Sequence, residues 1–407
     1  MNVLFLGNGF DLAHNLPTKY INFLNTVHSL SDQDISQITS VGEVFSNPKL
    51  LAKDKDIRLS YEQYKNYYDA TRIEISILNK LQEFSKNNVW YRYLSNSFAK
   101  DVSWVDFEKE IGKVIRSFEE MLEHCPSDSV IFYNLSKDSK FIISVFDFFL
   151  KHKDEQVQLL DLRMIKEEYL IEYSIGSLNF HIDIDKIVKY LFNQLNELSN
   201  CLSVYLMCFV ESMVRIIPDE HVYPWKEAFT YTDQVFTFNY TNTYEIIYNS
   251  ENVCHLHGNV NDKIILGLNP DCNDNIESVD TTFLCFKKYF QRIKYRTDLD
   301  YLHFIANNQR NNNITLYVIG HSLNVTDQDI IKELFSIATN IFIANYDDND
   351  EESHIVNIVN IFGKKEFDEL RRIKNLRFIS NSDPIASLMR FYRNQEEVDY
   401  VMSRIKK

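Results

Sequence analysis

The sequence predicts an α/β fold in which a Rossmann-like parallel sheet is interrupted by a large helical insertion. Three observations predict it. The chain opens on a short apolar run ended by a glycine, long helical periodicities fill the stretch from about residue 31 to 230, and short apolar runs then return in alternation with helical or polar stretches.

In chain order, residues 3–6 have the apolar character of a buried parallel strand, closed by Gly7. Residues 18–27 read as a helix with Thr18 at its N-cap and Tyr20, Phe23, Leu24 and Val27 on one face. Ser103 with Asp106 resembles a capping box opening a helix whose stripe is Trp104, Phe107, Ile111, Val114, Ile115, Phe118 and Leu122. A second long stripe runs from Ile184 through Leu191, Leu198 and Tyr205 to Phe209, with no Gly or Pro before Pro218. Strands are expected at residues 235–238, 253–256, 264–266, 316–319, 341–344 and 376–379. The expected organisation is a discontinuous Rossmann-like nucleotide-binding domain, residues 1–30 and 231–407, around a largely helical inserted domain, residues 31–230.

A chain of 407 residues that is 45% apolar can bury roughly three quarters of its unfolded surface, so it is a folded globular protein. A net charge of −15 disfavours nucleic acid as an extended partner but leaves room for a small anion held by backbone N–H groups. The six cysteines contain no CxxC pair and no zinc-ribbon spacing, so they read as free thiols and no metal is expected. No leader and no membrane-length apolar run is visible, which points to a cytoplasmic protein.

Of only nine glycines, Gly7, Gly9, Gly258, Gly267 and Gly320 fall at the ends of expected strands, where open parallel sheets bind ligands. In GNGFD, Gly7 to Asp11, the glycines permit a tight turn and close approach to a pyrophosphate, and Gly9→Val is expected to block it without harm to the fold. Asp11 either caps the local helix turn or bonds ribose hydroxyls. In TFNYTNTYE, Asn239 can hold a water or a ribose hydroxyl, or satisfy a turn. HLHG places His257 before Gly258, where a histidine acts as a base or packs structurally; His255 is the better structural candidate. In IGHSL, Gly320 permits close approach and Ser322 can bond phosphate or ribose; the flanking pattern is not GxSxG, so a serine hydrolase is discounted.

Taken together, GNGFDLAHNLPTKY, SWVDFEKEI, FNYTNTYE, HLHG, FKKYFQRI and GHSLNVTDQDI resemble the ordered motifs of the AbiH abortive-infection family, within a wider sirtuin-like group of NAD-binding proteins. The resemblance implies a sirtuin-like fold and a bound NAD, held by Gly7, Asn8, Gly9, Phe10, Asp11, Tyr240, Thr241, Gly258, Gly320, His321, Ser322 and Asp327. It further implies cleavage of the nicotinamide glycosidic bond, with Asn239 orienting water or ribose and His257 as general base. Thr241 stands where sirtuins carry an aspartate that contacts the nicotinamide amide, Asn15 replaces a common glycine, and the sirtuin zinc module is missing. The implied function is that of a phage-defence effector which hydrolyses NAD to nicotinamide and ADP-ribose on an unidentified phage-derived trigger. A non-hydrolysing nucleotide sensor whose helical domain engages a partner, or a hydrolase of another nucleotide, fits the same residues, and a homo-oligomer is compatible with them.

Overall fold

A computed structural model of the chain describes residues 1–97, 104–123, 136–146, 148, 166–172, 180–216, 232–268, 281–310 and 313–380. Its strands are β1 (Asn2–Leu6), β2 (Leu170–Glu172), β3 (Phe180–Ile182), β4 (Gln234–Thr237), β5 (Val253–His255), β6 (Thr315–Ile319), β7 (Asn340–Asn345) and β8 (Arg377–Ser380). β2 and β3 form a separate antiparallel pair. The other six make one sheet in the order β5-β4-β1-β6-β7-β8, parallel throughout.

The sheet is buried on both faces, as an all-parallel sheet must be. Val3 and Phe5 share one apolar cluster with Phe236, Leu316, Val318, Ile341 and Ile343, while Leu4 and Leu6 share another with Val235, Ile319, Phe342 and Ala344. The chain runs outward from the central β1 in both directions, first to β4 and β5 and later to β6, β7 and β8. That reversal opens a crevice beside the end of β1. Register then decides what meets there: Leu6 pairs with Thr237 on one side and Ile319 on the other, and Thr237 pairs with His255. All four expected ligand loops therefore leave the sheet at one edge.

The helices used below are α1 (Asn8–Ala13), α2 (Tyr20–Ser31), α3 (Trp104–Glu123), α4 (Ile184–Tyr205), α5 (Lys288–Tyr295), α6 (Gln328–Ile337) and α7 (Asp348–Ile373). The predicted stripes of α2, of α3 from Phe107 onward, and of α4 meet in one core with Trp90, Tyr205 and Phe209. Tyr240, Ile264, Leu266 and Phe286, from loops beyond β4 and β5, join that same core. No helix among the described residues is long and apolar enough to cross a membrane.

Three expectations change, and a fourth falls on a residue that is not described. The second helix starts at Tyr20, because the Thr18 hydroxyl donates to Asn8 Oδ1 (2.7 Å) instead of capping, and Asn22 Oδ1 accepts from the Lys19 N–H. Ser103 lies outside the described residues. The long 184–209 helix gives way after Tyr205 to a π-helical turn, Leu206–Glu211, of the kind that often marks a functional site. Residues 264–266 form no strand: the Ile265 N–H bonds the His257 carbonyl (2.8 Å), and the Ile265 carbonyl accepts from the Tyr240 hydroxyl (3.0 Å). Their apolar run is buried because it folds back over the HLHG turn, not because it joins the sheet.

Candidate functional site

At the sheet edge lies a cavity of about 550 Å³, within the range of small-molecule sites. Asn8, Gly9 and Asp11 from the first loop line it, with Asn239, Tyr240 and Thr241 after β4, His257 after β5, and Gly320, His321, Ser322 and Asp327 after β6. Gly7, Phe10 and Gly258 do not. Phe10 packs against His14, Tyr244 and Tyr248, and Gly258 supplies a left-handed turn (φ +73°) in which a Cβ would meet the Lys263 carbonyl. Gly267 packs against the Phe286 carbonyl.

The first loop is shaped by another loop. Gly7 N–H donates to Ile319 O, Gly9 N–H to Gly320 O (2.8 Å) and Phe10 N–H to Gly7 O. Gly320 is left-handed (φ +64°), and a Cβ on it would sit 2.2 Å from the Phe10 nitrogen; one on Gly9 would sit 2.7 Å from the Gly320 Cα. The glycines thus allow two backbones to touch, and three amides expected to cradle a pyrophosphate are already occupied. The expectation for Gly9→Val is corrected accordingly, since the added side chain would collide with Gly320 and disturb the fold itself. α7 fixes the second loop from behind: His354 Nε2 donates to the His321 carbonyl, with its Nδ1 on Asn345 Oδ1, and Asn357 Nδ2 donates to the Ser322 carbonyl.

Asp11 sits inside α1 and caps nothing. Thr241 Oγ1 donates to its Oδ2 at 2.6 Å, Thr243 Oγ1 donates to Thr241 in turn, and Oδ1 has no partner. Burial pushes this carboxyl up to about 7, Thr241, Thr243 and Asn239 holding it back and the Glu211 carboxylate adding to the rise. Glu211 ends the π turn and is buried, its Oε1 accepting from the Asn242 N–H and Nδ2.

His255 is structural. Nδ1 faces the Asn239 carbonyl (2.9 Å) and Nε2 faces Glu245 Oε1 (2.5 Å), so both ring nitrogens serve to hold the Asn239 loop. Asn239 Oδ1 itself has no partner, and neither has His257 Nε2. His257 stacks edge-on against Phe238 (4.7 Å between centroids) with Nε2 3.5 Å from Asp327 Oδ1. Burial, reinforced by the nearby Lys288 ammonium, keeps its pKa well below the usual histidine value, so the imidazole is neutral and the contact is not an ion pair.

Beneath His257 lies a buried ionic cluster that sequence reasoning missed. Lys288 on α5 reaches Glu108 Oε1 on α3 at 2.6 Å and Asp327 Oδ1 at 3.0 Å. Burial raises Glu108 to about 7 against the pull of Lys288, whereas at Asp327 burial is outweighed by Lys288, His321 and His257 acting together, which hold it ionised. His321 Nδ1 accepts from the Leu323 N–H, and its Nε2 lies 3.7 Å from Asp327 Oδ2. Glu108 had a legible signal: at Trp104 plus four and Ile111 minus three, it is a carboxylate on an apolar stripe. Lys288 had none, because nothing in the sequence separates it from Lys287.

The family model described as Bacteriophage abortive infection AbiH matches residues 3–344. No curated protein and no solved structure compared with the chain gives a significant match.

Proposed function

The chain belongs to the bacteriophage abortive-infection family AbiH, which implies a role in abortive infection, and from that premise we propose that it binds NAD in the cavity at the sheet edge and hydrolyses it to nicotinamide and ADP-ribose. The observation that carries this reading is the convergence of Asp11 Oδ1, Asn239 Oδ1 and His257 Nε2. They are three buried polar atoms without partners, from α1 and the segments after β4 and β5, that line one cavity. Leaving such groups unmet costs about 1–3 kcal/mol each, which a ligand rich in hydroxyls, such as a ribose, relieves. The strand order adds support, because counting outward from β1 it is the order of Rossmann-like dinucleotide-binding sheets, whose ligands lie at the reversal point.

In this reading Asn239 orients the attacking water or a ribose hydroxyl, and neutral His257 hydrogen-bonds a ribose hydroxyl through Nε2. Ser322 and Asn8 sit where the rest of the dinucleotide extends. Water adds to the ribose C1′ as the bond to nicotinamide breaks, the electron pair leaving with a neutral base. A second reading, sensing or hydrolysis of another nucleotide, is favoured by one feature: the amides of Gly7, Gly9 and Phe10 are not free to receive a pyrophosphate. Incubating the full chain with NAD, NADP, ATP and ADP-ribose in parallel and separating the products by chromatography decides between them. Nicotinamide release from NAD supports the first reading; turnover of ATP alone, or tight binding without turnover, replaces it with the second.

A further inference from the structure

Hydrolysis requires a group to take the proton of the attacking water, and the cavity is lined by five carboxyl or imidazole side chains: Asp11, Glu108, His257, His321 and Asp327. Four are committed. Glu108 and Asp327 each bind Lys288, and Asp327 is held ionised as a very weak base. His321 Nδ1 is occupied by the Leu323 N–H. His257 faces Lys288 and Arg292, which oppose any positive charge on its ring. Asp11 differs: one oxygen is anchored and the other is unpartnered, with no ion pair to any cation among the described residues.

Resting on the NAD reading above, we propose that Asp11 is the general base of this site, its carboxylate taking the proton from the water that attacks C1′ while Thr241 fixes the orientation of the carboxyl. One water O–H bond breaks and one Asp11 O–H bond forms. The new C–O bond at C1′ replaces the bond to nicotinamide, which departs with its electron pair, and Asp11 later returns the proton to solvent. The groups that act on Asp11 are Thr241, Thr243 and Asn239, which favour its charged form, and Glu211, which together with burial opposes it. A carboxyl balanced near 7 suits a base that works at neutral pH, where the wild-type rate is expected to fall on the acid side as Asp11 protonates.

The test is single-turnover nicotinamide release by wild type and Asp11→Asn over pH 5 to 9, with and without sodium azide. Azide attacks C1′ without a proton to lose. Asp11→Asn, whose amide still hydrogen-bonds a ribose hydroxyl, is expected to keep NAD binding, to lose about 10² to 10⁴ in rate and the acid limb of the profile, and to regain rate in azide with formation of the azido sugar. Should Asp11→Asn not fold, Thr241→Val serves: loss of its hydrogen bond raises the Asp11 pKa, so the acid limb moves to higher pH. Wild type that cleaves NAD beside a folded Asp11→Asn of equal rate, or beside one that azide does not rescue, overturns the assignment and leaves the NAD reading standing. An unmoved acid limb in Thr241→Val also overturns it. Wild type that releases no nicotinamide overturns both.

Discussion

Asp11→Asn is expected to make the protein more stable, and by an amount that depends on pH. The carboxyl is 1% exposed and titrates near 7 in the folded chain, against 3.8 for an ordinary aspartate. A folded pKa above the unfolded one means that the acid form favours folding. Its contribution is complete below about pH 4 and is lost as the pH rises through about 7. Each pH unit in that interval costs about 1.4 kcal/mol, so the ionised carboxylate destabilises the protein by up to about 4 kcal/mol above pH 7. Asparagine keeps an oxygen for the Thr241 hydroxyl and has no charge to bury. The variant should match wild type near pH 4, draw ahead as the pH rises, and level off above pH 7 with an advantage of a few kcal/mol. Urea unfolding midpoints at half-unit steps from pH 4 to 9 measure the difference. A constant difference, or a variant less stable at pH 8, would refute the account of Asp11 as a buried, unpaired acid.

Three further outcomes follow from the geometry. Lys288→Met removes the ammonium between Glu108 and Asp327 and should cost about 3–5 kcal/mol at pH 8, less at pH 5 where Glu108 is already protonated, as read from the same unfolding curves. His255→Ala should lower the melting temperature, because it releases the Asn239 carbonyl and Glu245, whereas His257→Ala should stay folded and lose about tenfold or more in nicotinamide release; the reverse pattern would exchange their roles. Gly9→Val should fail to fold stably, since its Cβ would lie 2.7 Å from the Gly320 Cα, and a cooperative melt at the wild-type temperature would show that the two loops can part.

The sheet was legible because its central strands are buried on both faces, which makes residues 3–6, 316–319 and 341–344 unbroken apolar runs; the same logic misread residues 264–266, where burial comes from a fold-back held by Tyr240 and His257. The glycines were legible as a shared edge but not in their purpose. Strand-end glycines look alike whether they admit a ligand or another backbone, and only register shows that Gly9 meets Gly320. Thr241 read as a missing aspartate, yet its hydroxyl is bonded to a carboxylate from a different loop, so an acid is present at that corner of the cavity although the local motif lacks one. The role of Lys288 depends on a contact between helices far apart in sequence, and no local pattern announces it or the π turn at Leu206–Glu211.

The central claim is that the cavity at the ends of β1, β4, β5 and β6 breaks the glycosidic bond of NAD. The most direct test is single-turnover nicotinamide release by wild type and Asn239→Ala, with NAD binding measured on both. Wild type is expected to give nicotinamide and ADP-ribose in equal amounts, and Asn239→Ala to bind NAD but release nicotinamide at least about a hundredfold more slowly. Equal rates in the two proteins, or NAD bound and left intact by wild type, would contradict it.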